Sequence, residues 1–141
     1  MNTEEVLQIL EDSKITNVHP KIKAVEFINV TKKIKNVIAI NNVSCVFESG
    51  KVTTLWGPSQ SGKTMMLKLA TGEEKPTSGK VIINQEVTTF DEEKFEKKEG
   101  ETVIYSSHDP QHAVHVSDRV IIINSGVLLQ SGNPKEMIYG V

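Results

Sequence analysis

The chain is poor in the features that would give it an outside scaffold or a direct hold on a membrane. It has one cysteine in 141 residues, Cys45, so no internal disulfide can form and the fold must rest on its core. A lone cysteine in an apolar stretch suits a reducing, cytoplasmic setting. Long hydrophobic runs are missing as well. Stretches such as 120–123 are far short of the roughly 20 apolar residues that a membrane-spanning helix needs, which excludes direct insertion. There is no excess of positive charge. Sixteen Lys and Arg stand against eighteen Asp and Glu, a net charge of −2, so nucleic acid and anionic lipid are not expected as main partners. The N-terminus carries Glu4, Glu5, Glu11 and Asp12 where a secretory leader would carry positive charge followed by an apolar run. No internal repeat or low-complexity tract interrupts the chain.

What remains is the composition of an ordinary globular domain, 38% hydrophobic and 24% charged, long enough for one modest core. Residues 3–13 read as a short amphipathic helix, with Thr3 as cap and Val6, Leu7 and Leu10 on one face. Pro20 marks a boundary, giving an accessory segment 1–20 and a main domain 21–141. From Ala24 the pattern changes to strands. Val25 to Val30, Val37 to Phe47 and Val52 to Trp56 carry the alternation, with a turn over Glu48-Ser49-Gly50-Lys51. A helix is expected from Lys63 to Ala70, closed by Thr71-Gly72. Strands follow at Lys80–Asn84, Val103–Tyr105, Val120–Ile123 and Val127–Leu129, with a helix from Pro110 to Ser117 and a charged stretch over 91–101.

One motif carries chemistry. Gly57-Pro58-Ser59-Gln60-Ser61-Gly62-Lys63-Thr64 satisfies the pattern G-x-x-x-x-G-K-[ST] in full, between an apolar strand and a helix bearing Met66, Leu67 and Leu69. A loop that enters a helix in this way turns backbone N–H groups inward, and the helix start adds partial positive charge. Lys63 can neutralise β- and γ-phosphates, and the Thr64 hydroxyl can ligate Mg²⁺. The expected ligand is a nucleoside triphosphate, ATP with Mg²⁺, cradled by residues 57–65.

From this point the sequence resembles the nucleotide-binding domain of ABC-type ATPases. The first strand, at Val25-Glu26-Phe27-Ile28-Asn29-Val30-Thr31, and the approach to the P-loop, from Ile40-Asn41-Asn42-Val43-Ser44 to Gly50, both look like the family's. Lys75-Pro76-Thr77-Ser78-Gly79-Lys80-Val81 is similar to the segment after the P-loop helix. Thr102 to Asp109 resembles the switch strand with its histidine at His108, and Ser117-Asp118-Arg119-Val120, Gly126, Gly132 and Pro134 continue the family's tail. The resemblance spans roughly residues 24–141. It implies an α/β fold, a three-layer P-loop NTPase core with an N-terminal antiparallel β-lobe. It implies His108 as a contact to the γ-phosphate, and a place on the inner face of a membrane through a transmembrane transporter subunit.

The resemblance also exposes a gap. The family places a glutamine loop, a helical subdomain, a Leu-Ser-Gly-Gly-Gln signature and a Walker B strand ending in Asp-Glu between its counterparts of Val81 and the switch strand. None of these motifs occurs here, and the flanks join near residues 90–100. Val87 to Glu92 has the form of a short strand ending in carboxylates. However, two of its residues are threonines, and Asp91-Glu92-Glu93-Lys94 reads as a capped, solvated helix start. The core sheet is therefore expected to be reduced on one side, with Val103-Ile104-Tyr105 as a bare edge. Three smaller departures weaken nucleotide contacts: Ile34 where the family stacks an aromatic ring on adenine, Gln60 in place of a glycine, and Met65 in place of a hydroxyl residue. His108, His112 and His115 have helical spacing, but no cysteine or carboxylate completes a metal site around them. The reading is an ATP-binding domain deficient in hydrolysis. The alternatives are a non-catalytic module that pairs with an intact ABC ATPase, and an inactive fragment.

Overall fold

A computed structural model describes residues 2–6, 22–91, 98–107, 109, 111 and 115–134. Residues 3–6 are helical, capped by Asn2 rather than Thr3: the Glu5 amide donates to Asn2 Oδ1 at 2.7 Å. The rest of the expected helix, through residue 13, lies outside the described residues.

Two sheets follow. The first is antiparallel and holds β1 (Lys23–Ile34), β2 (Val37–Glu48) and β4 (Ser78–Ile83) in the order β2-β1-β4. Its register pairs Phe27 with Cys45 and with Val81. The second holds β5 (Thr88–Asp91), β6 (Val103–Ser107), β3 (Val52–Trp56), β7 (Arg119–Asn124) and β8 (Val127–Gly132), in that order. The β5-β6-β3-β7 block is parallel, and β8 returns antiparallel to β7. The switch-like strand β6 lies beside β3, which leads to the P-loop, and β7 and β8 lie on the other side of β3.

The helix α1 (Lys63–Ala70) packs between the sheets. Its Met66, Leu67, Leu69 and Ala70 are buried against Phe27 and Phe47 of the lobe and against Leu55, Ile104, Ile121 and Ile123 of the parallel sheet. Alternation along a strand sends Val103 and Tyr105 to the opposite face, where they form a smaller cluster with Val52, Phe90 and Val116. The lobe is tied to the segment after α1 by Lys32, whose ammonium reaches Glu74 at 3.2 Å and the Lys75 carbonyl at 2.7 Å. Cys45 is half-buried on β2, and burial pushes its thiol up to about 12, so it stays protonated and unreactive.

One expectation is corrected. Residues 88–91 form a strand that covers β6, which is therefore not an edge; of the helix start expected over 91–94 only Asp91, the last residue of this strand, lies among the described residues. The pairing runs Thr88 with Val103 through Asp91 with Ser106. The physical reason lies in the residues that argued against a strand. Threonine is β-branched and suits an edge position, where one side of the strand faces water, while Phe90 adds to the small cluster. Four residues are enough to pair with β6, and so short an edge limits further association. The Asp91 side chain is engaged sideways with Ser106 and Thr64.

Candidate functional site

The site begins with the turn that leaves β3. Gly57 is buried, and a Cβ on it would fall 2.1 Å from the Ile123 carbonyl oxygen, so only glycine fits between the strand and β7. Gln60 then takes φ 62 and Gly62 φ 108. A left-handed backbone is free for glycine but costs an ordinary residue about 1 kcal/mol. The loop thus adopts at Gln60 the conformation that a glycine would adopt without strain. The Met66 amide donates to the Gly62 carbonyl at 3.0 Å, which closes the first helical turn. No side chain caps α1, and no acidic residue stands in its first turn. The start of this helix is therefore suited to an anion.

The Lys63 side chain is almost wholly buried and its ammonium donates to the Gly57 carbonyl at 2.6 Å, folding back along the loop. Thr64 is exposed, and its hydroxyl donates to Asp91 Oδ2 at 3.3 Å. The other carboxylate oxygen accepts a short hydrogen bond from Ser106 Oγ on β6. Thus β5, which lies beyond β6 in the sheet, brings the Asp91 carboxylate against the P-loop threonine. An ammonium, a hydroxyl and a carboxylate at one end of a helix form a donor set that fits a polyphosphate and a hard, oxygen-seeking cation such as Mg²⁺.

The loop opens onto a cleft of about 490 Å³ with two ends. Gln60, Lys63, Thr64 and Lys68 line its polar end. Ile34, Val37 and Ile38, from either side of the β1–β2 turn, form an apolar pad at the other, and Val37 is 65% exposed. Met65, half-buried, also lines the cleft. Pro58 and Ser59 face outward, while Ser61 is buried with its hydroxyl unpartnered among the described residues. Of the expected site residues, Gln60, Gly62, Lys63, Thr64 and Met65 line this cleft, whereas Gly57 and Pro58 line a separate cavity with Trp56 and Ile122 to Asn124. His108 lies outside the described residues, as does His112. Sequence reasoning missed Asp91 as a neighbour of Thr64, and it assigned no role to Ser125 and Gly126, which also line the cleft. The signal for Asp91 is the form of Val87 to Glu92, a short strand ending in carboxylates.

Comparison with known proteins bears on the family and the fold. Residues 40–131 match the sequence profile of the family described as ABC transporter. The zinc import ATP-binding protein ZnuC of Rickettsia bellii is 50% identical over 60 residues, which cover 43% of this chain and 26% of that protein. The Fe(3+) ions import ATP-binding protein FbpC of Brucella abortus is also 50% identical over 60 residues, covering 43% of this chain and 17% of its own length. The matched part of the chain thus spans about a quarter or less of these curated relatives. Among solved structures, cbiO1 from Clostridium perfringens, part of the ABC transporter complex cbiONQ, superposes with a TM-score of 0.74. It is 11% identical, over 84% of this chain and 91% of that one. A nucleotide-free ATP-binding cassette from an ABC transporter gives a TM-score of 0.68 at 13% identity, over 85% and 95% of the two chains. At such identities the likeness shows the fold alone, a P-loop α/β core.

Proposed function

The chain belongs to the ABC transporter family, and on that basis we propose that it is an internally shortened nucleotide-binding domain that binds Mg·ATP in the cleft beside the P-loop but is deficient in hydrolysis. The observation that carries the binding reading is the Asp91 carboxylate on the Thr64 hydroxyl at the start of α1, with the Lys63 ammonium folded along the same loop onto the Gly57 carbonyl. Gly57, Pro58, Ser59, Gln60, Ser61 and Gly62 would supply backbone around the phosphates, Lys63 would neutralise them, and Thr64 with Asp91 would hold Mg²⁺. When bound, the cation offsets charge on the β- and γ-oxygens. The base rests on Ile34, Val37 and Ile38, which offer apolar contact without an aromatic ring. His108 is proposed as the γ-phosphate contact on resemblance alone.

Deficiency in hydrolysis follows from what phosphoryl transfer requires. A positioned water and stabilised transition-state charge need groups around the γ-phosphate, and in this family a signature loop from a second subunit completes them. No Leu-Ser-Gly-Gly-Gln occurs in the 141 residues, so two copies of this chain cannot complete each other's sites. A second reading follows from the outward-facing Pro58, Ser59, Gln60 and Thr64: an intact relative could close over this face and contribute its own signature. The chain would then be a non-catalytic, inhibitory subunit. Transmembrane transporter subunits are the other proposed partners, which would hold the chain at the inner face of a membrane. No helix among the described residues is long and apolar enough to cross one. Residues 21–141 would form the nucleotide-binding unit, with 1–20 as an accessory segment.

The test is calorimetric titration of the chain with Mg·ATP, against Lys63→Ala. Loss of charge-assisted hydrogen bonds of about 1.5–3 kcal/mol should weaken binding roughly 10- to 100-fold. Equal affinity in the two proteins would remove the P-loop from the account.

A further inference from the structure

The turn between β7 and β8 reaches across to the P-loop. Gly126 is buried there at φ 78, after Ser125 at φ 52. Its amide donates to the Ser61 carbonyl at 2.8 Å, and its carbonyl accepts from the Asn41 amide of β2 at 2.8 Å. One residue thus joins the P-loop, the parallel sheet and the β-lobe through main chain alone. The packing leaves no room for a side chain. A Cβ at Gly126 would sit 2.5 Å from the Ala39 carbonyl oxygen and 3.3 Å from Ile40 Cα. The facing P-loop residue is equally confined, because a Cβ on Gly62 would meet Ala39 O at 3.0 Å and Gly126 Cα at 3.4 Å.

We infer that Gly126 is a positioning residue for nucleotide binding: the β7–β8 turn holds the Ser61-Gly62 end of the P-loop against β2 and so aims Lys63 and Thr64 into the cleft. The inference rests on the nucleotide reading above. Ser61 and Gly62 directly precede Lys63 and Thr64, and the Ser61 hydroxyl makes no bond of its own among the described residues. The main-chain bond from Gly126 is therefore what ties this part of the loop to the turn. Displacing the turn by the few tenths of an ångström or more that a methyl group demands moves the loop with it. Small misplacements of this kind are amplified wherever several groups must converge on one ligand.

The design of the test separates contact from backbone strain. Gly50 has a similar left-handed backbone, φ 71, but a Cβ there would meet nothing within 4 Å. Gly50→Ala should lower the melting temperature and leave Mg·ATP affinity unchanged. Gly126→Ala, titrated well below its melting temperature, should bind Mg·ATP at least about tenfold more weakly. Gly126→Asn should lose as much, because asparagine tolerates a left-handed backbone but still carries the Cβ. Wild-type affinity in either Gly126 variant overturns the inference. If neither variant folds, amide exchange in the unaltered protein decides: Mg·ATP should slow exchange at Gly126 at least about tenfold and leave Gly50, whose amide is bonded to Thr102, unchanged. No selective slowing overturns it. An unaltered chain that binds no Mg·ATP overturns the nucleotide reading and this one together, whereas binding that is indifferent to Gly126 overturns this one alone.

Discussion

Among single residues, Asp91 has the largest consequence for chemistry. Its carboxylate bridges Thr64 on α1 and Ser106 on β6, which places negative charge where a cation bound to the P-loop threonine would sit. Asparagine can keep an oxygen toward Ser106 while removing that charge. Asp91→Asn should therefore preserve the fold but cut the gain in ATP affinity produced by Mg²⁺ by about tenfold, in line with the role of carboxylates in Mg²⁺ sites. Titrations with and without EDTA measure this, and an undiminished Mg²⁺ effect would take Asp91 out of the site. Gln60 and Ile34 act in the other direction. One takes a left-handed backbone in the loop and the other offers the base an aliphatic surface, so each should lower affinity without removing the cradle.

At the scale of elements, the parallel sheet divides into a centre and two edges. Ile104 on β6 is fully buried between α1 and its neighbouring strands, whereas Thr89 opposite it on β5 is only half-buried. Truncating a buried isoleucine removes apolar contact and leaves a cavity, at a cost of about 2–5 kcal/mol. Ile104→Ala should lose that much in urea unfolding, a large share of the roughly 5–15 kcal/mol typical of a domain. Thr89→Ala should lose less than about 1 kcal/mol, the span of strand propensity. Comparable losses would mean that β5 is as integral as β6. Most of the strands and α1 were legible beforehand, because alternation, Gly-bounded turns and the glycine after α1 are local signals. β5 was not, since a four-residue threonine-rich segment next to a charged stretch has no periodicity long enough to read.

For the whole molecule, the question is whether a P-loop core without the family's middle segment does work or only binds. The purified chain should turn over no more ATP than its Lys63→Ala variant, measured by phosphate release. Mixed with an intact ABC ATPase, it should form an ATP-dependent complex in sedimentation. Turnover above the variant would restore the reading as a self-sufficient enzyme, and a mixture that stays dissociated would end the pairing one. The lineage was legible from residues alone, because the P-loop and its flanking segments are contiguous stretches whose chemistry depends on their order along the chain. The sequence by itself determined the glycine-bounded cradle at 57–64, the helix that follows it and the alternating strands around them. Only the tertiary structure decided that Asp91 meets Thr64 and that Gly126 holds Ser61. Both contacts join segments far apart in the chain, and such pairings are set by how strands and turns pack against one another, which no local pattern encodes.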